Sequence, residues 1–202
     1  MPDFDFKDMV DAAAKEFSKR VEQFAGLEVR KKVLPDGAPL AGITDPVKGA
    51  LDYKAAVERL DKLADKPTRE KIMQACGCTC QSIFDQGALK QKENRQKYAT
   101  EAEFLANLKS EDNCTTYELK GKNIIQRFAP SKSVPNMPDL RCACMLIGGL
   151  PKGTNASPTV CECSRGFTKQ RWETILGRPV NVEVVSTPII SSGDECVFII
   201  HL

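Results

Sequence analysis

Nine cysteines in a 202-residue chain are the residues most able to do chemistry, and their spacing is not that of scattered core thiols. Seven fall at Cys-x-Cys intervals: Cys76, Cys78 and Cys80 in CGCTC, Cys142 and Cys144 in RCACM, and Cys161 and Cys163 in VCECS. Cys196 follows in a Gly-Asp-Glu-Cys turn, and Cys114 stands apart and reads as a small buried hydrophobe. Thiolates suit soft metals and nucleophilic or redox work. Four would satisfy the tetrahedral preference of zinc, the first candidate, and an iron–sulfur cluster is the second. The Cys-x-Cys interval differs from the Cys-x2-Cys knuckle of structural zinc sites, so metal binding by a subset of these residues is expected over binding by all of them.

The single histidine, His201, sits at the C-terminus. A histidine-based nucleophile triad is therefore not expected, and a general base would be a carboxylate or a thiolate. Glu183 and Asp194 are the carboxylate candidates, while Cys76 and Cys80 are the candidate nucleophiles. Arg165 and Arg171 could hold a substrate carboxylate by paired hydrogen bonds, or simply solvate a helix.

Composition bounds the rest. Charged residues make up 28% and hydrophobic residues 42%, with a net charge of +2, which describes an ordinary globular chain. There is no basic field for nucleic acid, no apolar run long enough for a bilayer and no signal-peptide pattern at the start. The expected compartment is the cytoplasm, where structural disulfides are disfavoured. The expected partner is a small-molecule ligand, without nucleic acid or membrane; a homodimer is left open.

Hydrophobic periodicity supplies the elements that must carry the thiols. Phe6, Met9/Val10, Ala13, Phe17, Val21 and Phe24 form one face of a helix that stops at Gly26. Residues 27 to 44 read as a loop with a short strand. Asp45-Pro46 caps a helix expected to bury Val47, Leu51, Ala55/Ala56, Leu60 and Leu63. A third helix opens near Pro67 and runs through CGCTC. If it persists, Cys76 and Cys80 share a face and Cys78 points away; if Gly77 breaks it, the three thiols can converge. A further polar helix follows, and Thr100 to Glu103 is a capping box.

From Cys114 the period changes to two. CTTYELKG and NIIQRFA read as strands joined by a hairpin at Lys120 to Asn123. Leu140 to Ile147 reads as a strand, with Cys142 and Cys144 on one face. Cys161 and Cys163 would behave alike if extended, with Ser164 capping the next helix, which ends at Gly177. PVNVEVVS puts Val180, Val182 and Val184 on one face and Asn181, Glu183 and Val185 on the other. CVFIIHL is a central strand. The class expected is α+β: a largely helical N-terminal half, about 1–112, and an antiparallel sheet with helices packed on it, about 113–202, within one domain spanning 1–202.

The run CECSRGFTKQRWETILGRPVNVEVV, followed by SSGDECVFIIHL, resembles the C-terminal core of the 4-vinyl-reductase-type small-molecule-binding domain. It is most similar to the cysteine-rich bacterial group of L-2-amino-thiazoline-4-carboxylic acid hydrolase-like proteins. The shared elements are Cys161 to Phe167, Gly177 to Glu183 and Gly193 to Phe198, with Cys76-Gly77 and Cys80 matching an upstream Cys-Gly-x-x-Cys. The resemblance implies an antiparallel sheet with helices around an apolar ligand cavity. It also implies zinc held by Cys161 or Cys163, by Glu183 and by Cys196. The family's cysteine three positions after Glu183 is Ser186 here, so Cys142 or Cys144 would have to complete the set.

Three functions follow as expectations. The first is a small-molecule-binding protein with a cysteine-rich zinc site, using Cys142, Cys144, Cys161, Cys163, Glu183 and Cys196. The second is a hydrolase opening a small cyclic, non-peptide C–N bond of the thiazoline-carboxylate type. The third is an iron–sulfur or thiol redox protein.

Overall fold

The computed structural model describes residues 6–35, 40, 44–84, 86–110, 112–133, 141–144, 146–191 and 193–202. The side chains of 6, 9 and 78–84 fall outside this description, so Cys78 and Cys80 are placed only by their backbone. The chain is α+β. Six helices come first: α1 Phe6–Ala25, α2 Leu27–Val33, α3 Pro46–Leu63, α4 Lys66–Phe84, α5 Gln86–Arg95 and α6 Glu101–Ala106. Then come strands β1 Thr115–Lys120 and β2 Asn123–Phe128, a short helix α7 Pro130–Ser133, the long helix α8 Cys161–Leu176, and strands β3 Asn181–Ser186 and β4 Cys196–His201. Among the described residues no helix is long and apolar enough to cross a membrane.

The sheet is antiparallel throughout, in the order β1-β2-β4-β3. β4 is paired on both sides, as its near-continuous apolar sequence requires. Its buried positions alternate as Cys196, Phe198 and Ile200. The face they share packs on α8, where Trp172 is fully buried and its indole N–H donates to Gln126 Oε1 at 2.9 Å. Tyr117 meets the same indole edge-on, with centroids 5.6 Å apart.

A second core lies among α1, α2, α3, α4 and the segment after Arg141. Phe17 and Tyr53 meet edge-to-face at its centre, 5.1 Å apart. Local signals set several boundaries here. Asp45 Oδ1 accepts from the Val47 and Lys48 amides, the Thr100–Glu103 capping box is complete, and Gly177 takes the left-handed conformation that closes α8.

Four expectations are corrected. Residues 27–33 are helical, because Arg59 reaches back from α3 to accept the role of C-terminal partner, donating from Nε to Val33 O at 2.9 Å. No local pattern announces a contact 26 residues away. On α3 the buried stripe is Ala50, Tyr53, Ala56, Val57 and Leu60, while Val47, Leu51 and Leu63 are exposed. Tyr53 carries the face round by packing on Phe17. Residues 141–144 and 146–149 are irregular and turn rather than strand, since the Ile147 and Gly148 amides donate to Cys144 O; Leu140 and Met145 lie outside the described residues. Finally, α8 begins at Cys161, preceded by a 3-10 turn at Pro158–Val160 that Ser157, not Ser164, caps by accepting from the Thr159 amide.

α4 runs unbroken through Gly77 and crosses α8 there. A Cβ on Gly77 would lie 1.9 Å from Cys163 O and 2.7 Å from Phe167 N. Across the same contact, a Cβ on Gly166 would lie 2.2 Å from Gln74 O. The obstacles are backbone atoms, so they cannot swing aside. An exposed mid-helix Gly→Ala change stabilises by roughly 0.5–1 kcal/mol. Gly77→Ala should do the opposite, costing about 2–3 kcal/mol in urea unfolding; a neutral or stabilising result would show that the helices separate freely.

Candidate functional site

The crossing of α4 and α8 brings two of the three cysteine motifs together. Cys163 carries the carbonyl that rests against Gly77, and Cys76, the residue before, is buried at 6% exposure. Gln74 Nε2 donates to Glu162 Oε2 at 2.7 Å on the neighbouring turn. Arg165 then binds Glu162 through Nη1 and donates from Nε to Val182 O at 2.7 Å, joining α8 to β3. Arg165 is thus held by the scaffold rather than presented to a substrate; Arg171 lies farther along α8, half-buried.

The third motif is delivered by the irregular segment after Arg141. The Arg141 guanidinium takes the carbonyls of Pro151, Thr154 and Pro188, pinning this segment against the β3–β4 connection. No spacing rule points to that staple. It leaves Cys142 buried and Cys144 half-buried. The Cys144 amide donates to Cys142 Sγ at 3.4 Å.

Cys161 and Cys163 occupy the first turn of α8, where the helix dipole favours thiolate. Two positions apart on a helix, they face different ways. Cys161 Sγ lies 3.0 Å from Thr187 Oγ1. Cys196 opens β4 on the covered face of the sheet and lies close enough to Cys161 and Cys142 to be felt by both. Cys142 and Cys161 belong to the helical core and Cys196 to the core under the sheet. The thiols therefore gather at the seam between the two.

Their electrostatics divide them. The hydrogen bond from Cys163, assisted by the Leu146 and Ile147 amides, holds Cys144 below the usual thiol value against the opposing effect of burial. Burial pushes Cys161 up to about 11 and Cys196 up to about 12, where the charge of Cys161 adds to it. Cys142 is raised as well, first by burial and then by Cys144, Cys196 and Cys161. Cys114, far from this group in sequence, is raised to about 11 by burial and by Asp112.

The carboxylates do not join them. Glu183 pairs with Ile199 in the β3–β4 register, which puts it on the open face, while Cys196 faces α8. Glu183 is exposed, and its carboxylate lies 3.6 Å from His201 Nε2. Asp194 is also exposed, in the turn before β4. The zinc set implied by the resemblance therefore does not fit this chain, because Glu183 and Cys196 point to opposite sides of the sheet. The thiols alone fit a soft ion in donor type and in neighbourhood. Among the described residues, however, no three cysteine, histidine or carboxylate side chains are already gathered tightly enough to hold a metal. Of the named catalytic candidates, Cys76 lies buried on α4 near the site, and the Cys80 side chain lies outside the described residues.

Thr187 and Arg141 are neighbours of the thiol-bearing segments that the sequence does not signal. Only three-dimensional contact picks them out. One consequence is measurable: in the reduced, metal-free chain, iodoacetamide at neutral pH should label Cys144 before Cys142, Cys161 or Cys196, read by peptide mass spectrometry. Faster labelling of any of those three would contradict the hydrogen-bonding pattern around Cys144. Compared with family models and with curated proteins, the chain matches none.

Proposed function

We propose that this protein is a small-molecule-binding protein whose working site is the thiol group at the seam, with zinc held by Cys142, Cys144, Cys161 and Cys196. One observation carries the reading. These four thiols come from three separate segments into one largely buried neighbourhood, where the thiols feel one another's charge and the Cys144 amide points at the Cys142 sulfur. Buried thiols that raise one another's pKa are a poor arrangement for a dry core and a suitable one for a cation that repays their charge. Cys163 is half-buried at the rim, and Glu183 has no part.

Zinc, when bound, would favour the thiolate form of its cysteine ligands and polarise a donor atom of the ligand. The chain's own contribution is to hold the sulfurs. Arg141 pins the Cys142–Cys144 segment, Thr187 orients Cys161, and the sheet fixes Cys196. The resemblance to vinyl-reductase-type domains supplies the ligand class, a small molecule with an apolar body.

Metal analysis of protein purified without oxygen tests this directly. About one zinc per chain is expected. Cys142→Ser or Cys196→Ser should lower occupancy roughly tenfold or more at limiting zinc, while Glu183→Gln leaves it unchanged. A brown chain carrying iron and sulfide would replace zinc with a cluster, and loss of zinc in Glu183→Gln alone would overturn the all-thiol set. Turnover of a thiazoline carboxylate by the zinc-loaded chain would move the reading from binding to hydrolysis.

A further inference from the structure

Three half-buried arginines of this fold are each neutralised by a carboxylate: Arg69 by Asp61, Arg165 by Glu162 and Arg178 by Glu101. Arg141 is half-buried too, yet its acceptors are the carbonyls of Pro151, Thr154 and Pro188, which carry no net charge. Among the described residues no carboxylate pairs with it. A guanidinium carries five N–H donors. Nη1 donates to Pro151 O at 2.8 Å and to Thr154 O at 2.6 Å, and Nη2 donates to Pro188 O. The Nε–H and a second Nη2–H are left over, and Nε is open to solvent. Backbone therefore fixes part of a charged, planar group and leaves the rest to take an outside acceptor.

The position ties that group to the thiols. Cys142 is the next residue in the chain, and Pro188 follows Thr187, whose hydroxyl lies 3.0 Å from Cys161 Sγ. Leu150 and Ile189, the chain neighbours of two of the carbonyl residues, are buried. In such apolar surroundings a charged hydrogen bond is stronger than in water.

We propose that Arg141 is the oxyanion subsite of the small-molecule site, its remaining donors taking the carboxylate of a small organic acid beside the thiols. This deepens the small-molecule reading above, on which it rests, by naming the ligand as an anion. A planar guanidinium matches a carboxylate in a way that a lysine point charge does not. Three carbonyls already hold the side chain in place, so little rotamer freedom is lost when the anion docks.

The test uses the full chain, stripped of metal and isotope-labelled, with benzoate added while the arginine Nε–H signals are followed by NMR. Arg141→Lys identifies the Arg141 signal by its disappearance; if that variant does not fold, the signal is assigned in the unaltered chain through the Arg141 side-chain carbons. A saturable shift of the Arg141 signal is expected. Benzamide has the same shape without the charge and should bind at least roughly tenfold more weakly. Inorganic phosphate should move the signal less than benzoate does. An Arg141 signal unmoved by benzoate, or moved equally by benzamide, would reduce Arg141 to a structural staple, and a stronger response to phosphate would overturn the carboxylate. Zinc content is read separately. Benzoate held by a chain that takes up no zinc keeps the subsite and rejects the metal reading, whereas a zinc-binding chain indifferent to benzoate does the reverse.

Discussion

Everything near the thiols depends on one steric fact, the contact of α4 with α8 at Gly77 and Gly166. Backbone meets backbone there, with room for neither Cβ. Such close approach brings the start of α8 against the middle of α4 and fixes the first-turn thiols in depth. It also lets the Gln74–Glu162–Arg165 chain reach from α4 to β3. A larger side chain at either glycine would push α8 away from α4 and toward the sheet, disturbing both cores at once. The site is sited by two absences of a side chain.

The second constraint is electrostatic. Burying several thiols together is tolerable while they stay neutral, and the raised values of Cys142, Cys161 and Cys196 keep them so. Cys144 differs in being held below the usual thiol value, first by hydrogen bonding with Cys163. One acidified sulfur among reluctant ones is an asymmetric arrangement. A cation would even it out by charging the others.

Much of the scaffold was legible from local signals. The Asp45-Pro46 cap, the Thr100–Glu103 box, the Gly177 stop and the two-residue alternation of β3 and β4 are all written in adjacent residues. What escaped was non-local. The Leu27–Val33 helix is completed by Arg59, the face of α3 is set by Tyr53 against Phe17, and the Arg141 segment coils because three distant carbonyls bind its guanidinium. The fork at Gly77 was posed correctly by its spacing yet could not be resolved there. The deciding atom, the carbonyl of Cys163, lies 86 residues downstream of Gly77.

The position of Glu183 follows from parity. Within β3, Val182 and Val184 face α8, so Glu183 between them faces out. In β4 the inward positions are Cys196, Phe198 and Ile200, and the pairing Glu183↔Ile199 aligns outward with outward. The irregularity between Val184 and Ser186 comes after Glu183 and so cannot turn it inward. That irregularity instead lies beside Cys196 and leads to Thr187, whose hydroxyl meets Cys161. A one-residue slip would be needed to bring the carboxylate to the thiols, and it would expose Val182 and Val184 in the same move. The sheet's own core therefore keeps the Glu183 carboxylate off this site, and the thiols meet instead the Thr187 hydroxyl that closes on Cys161.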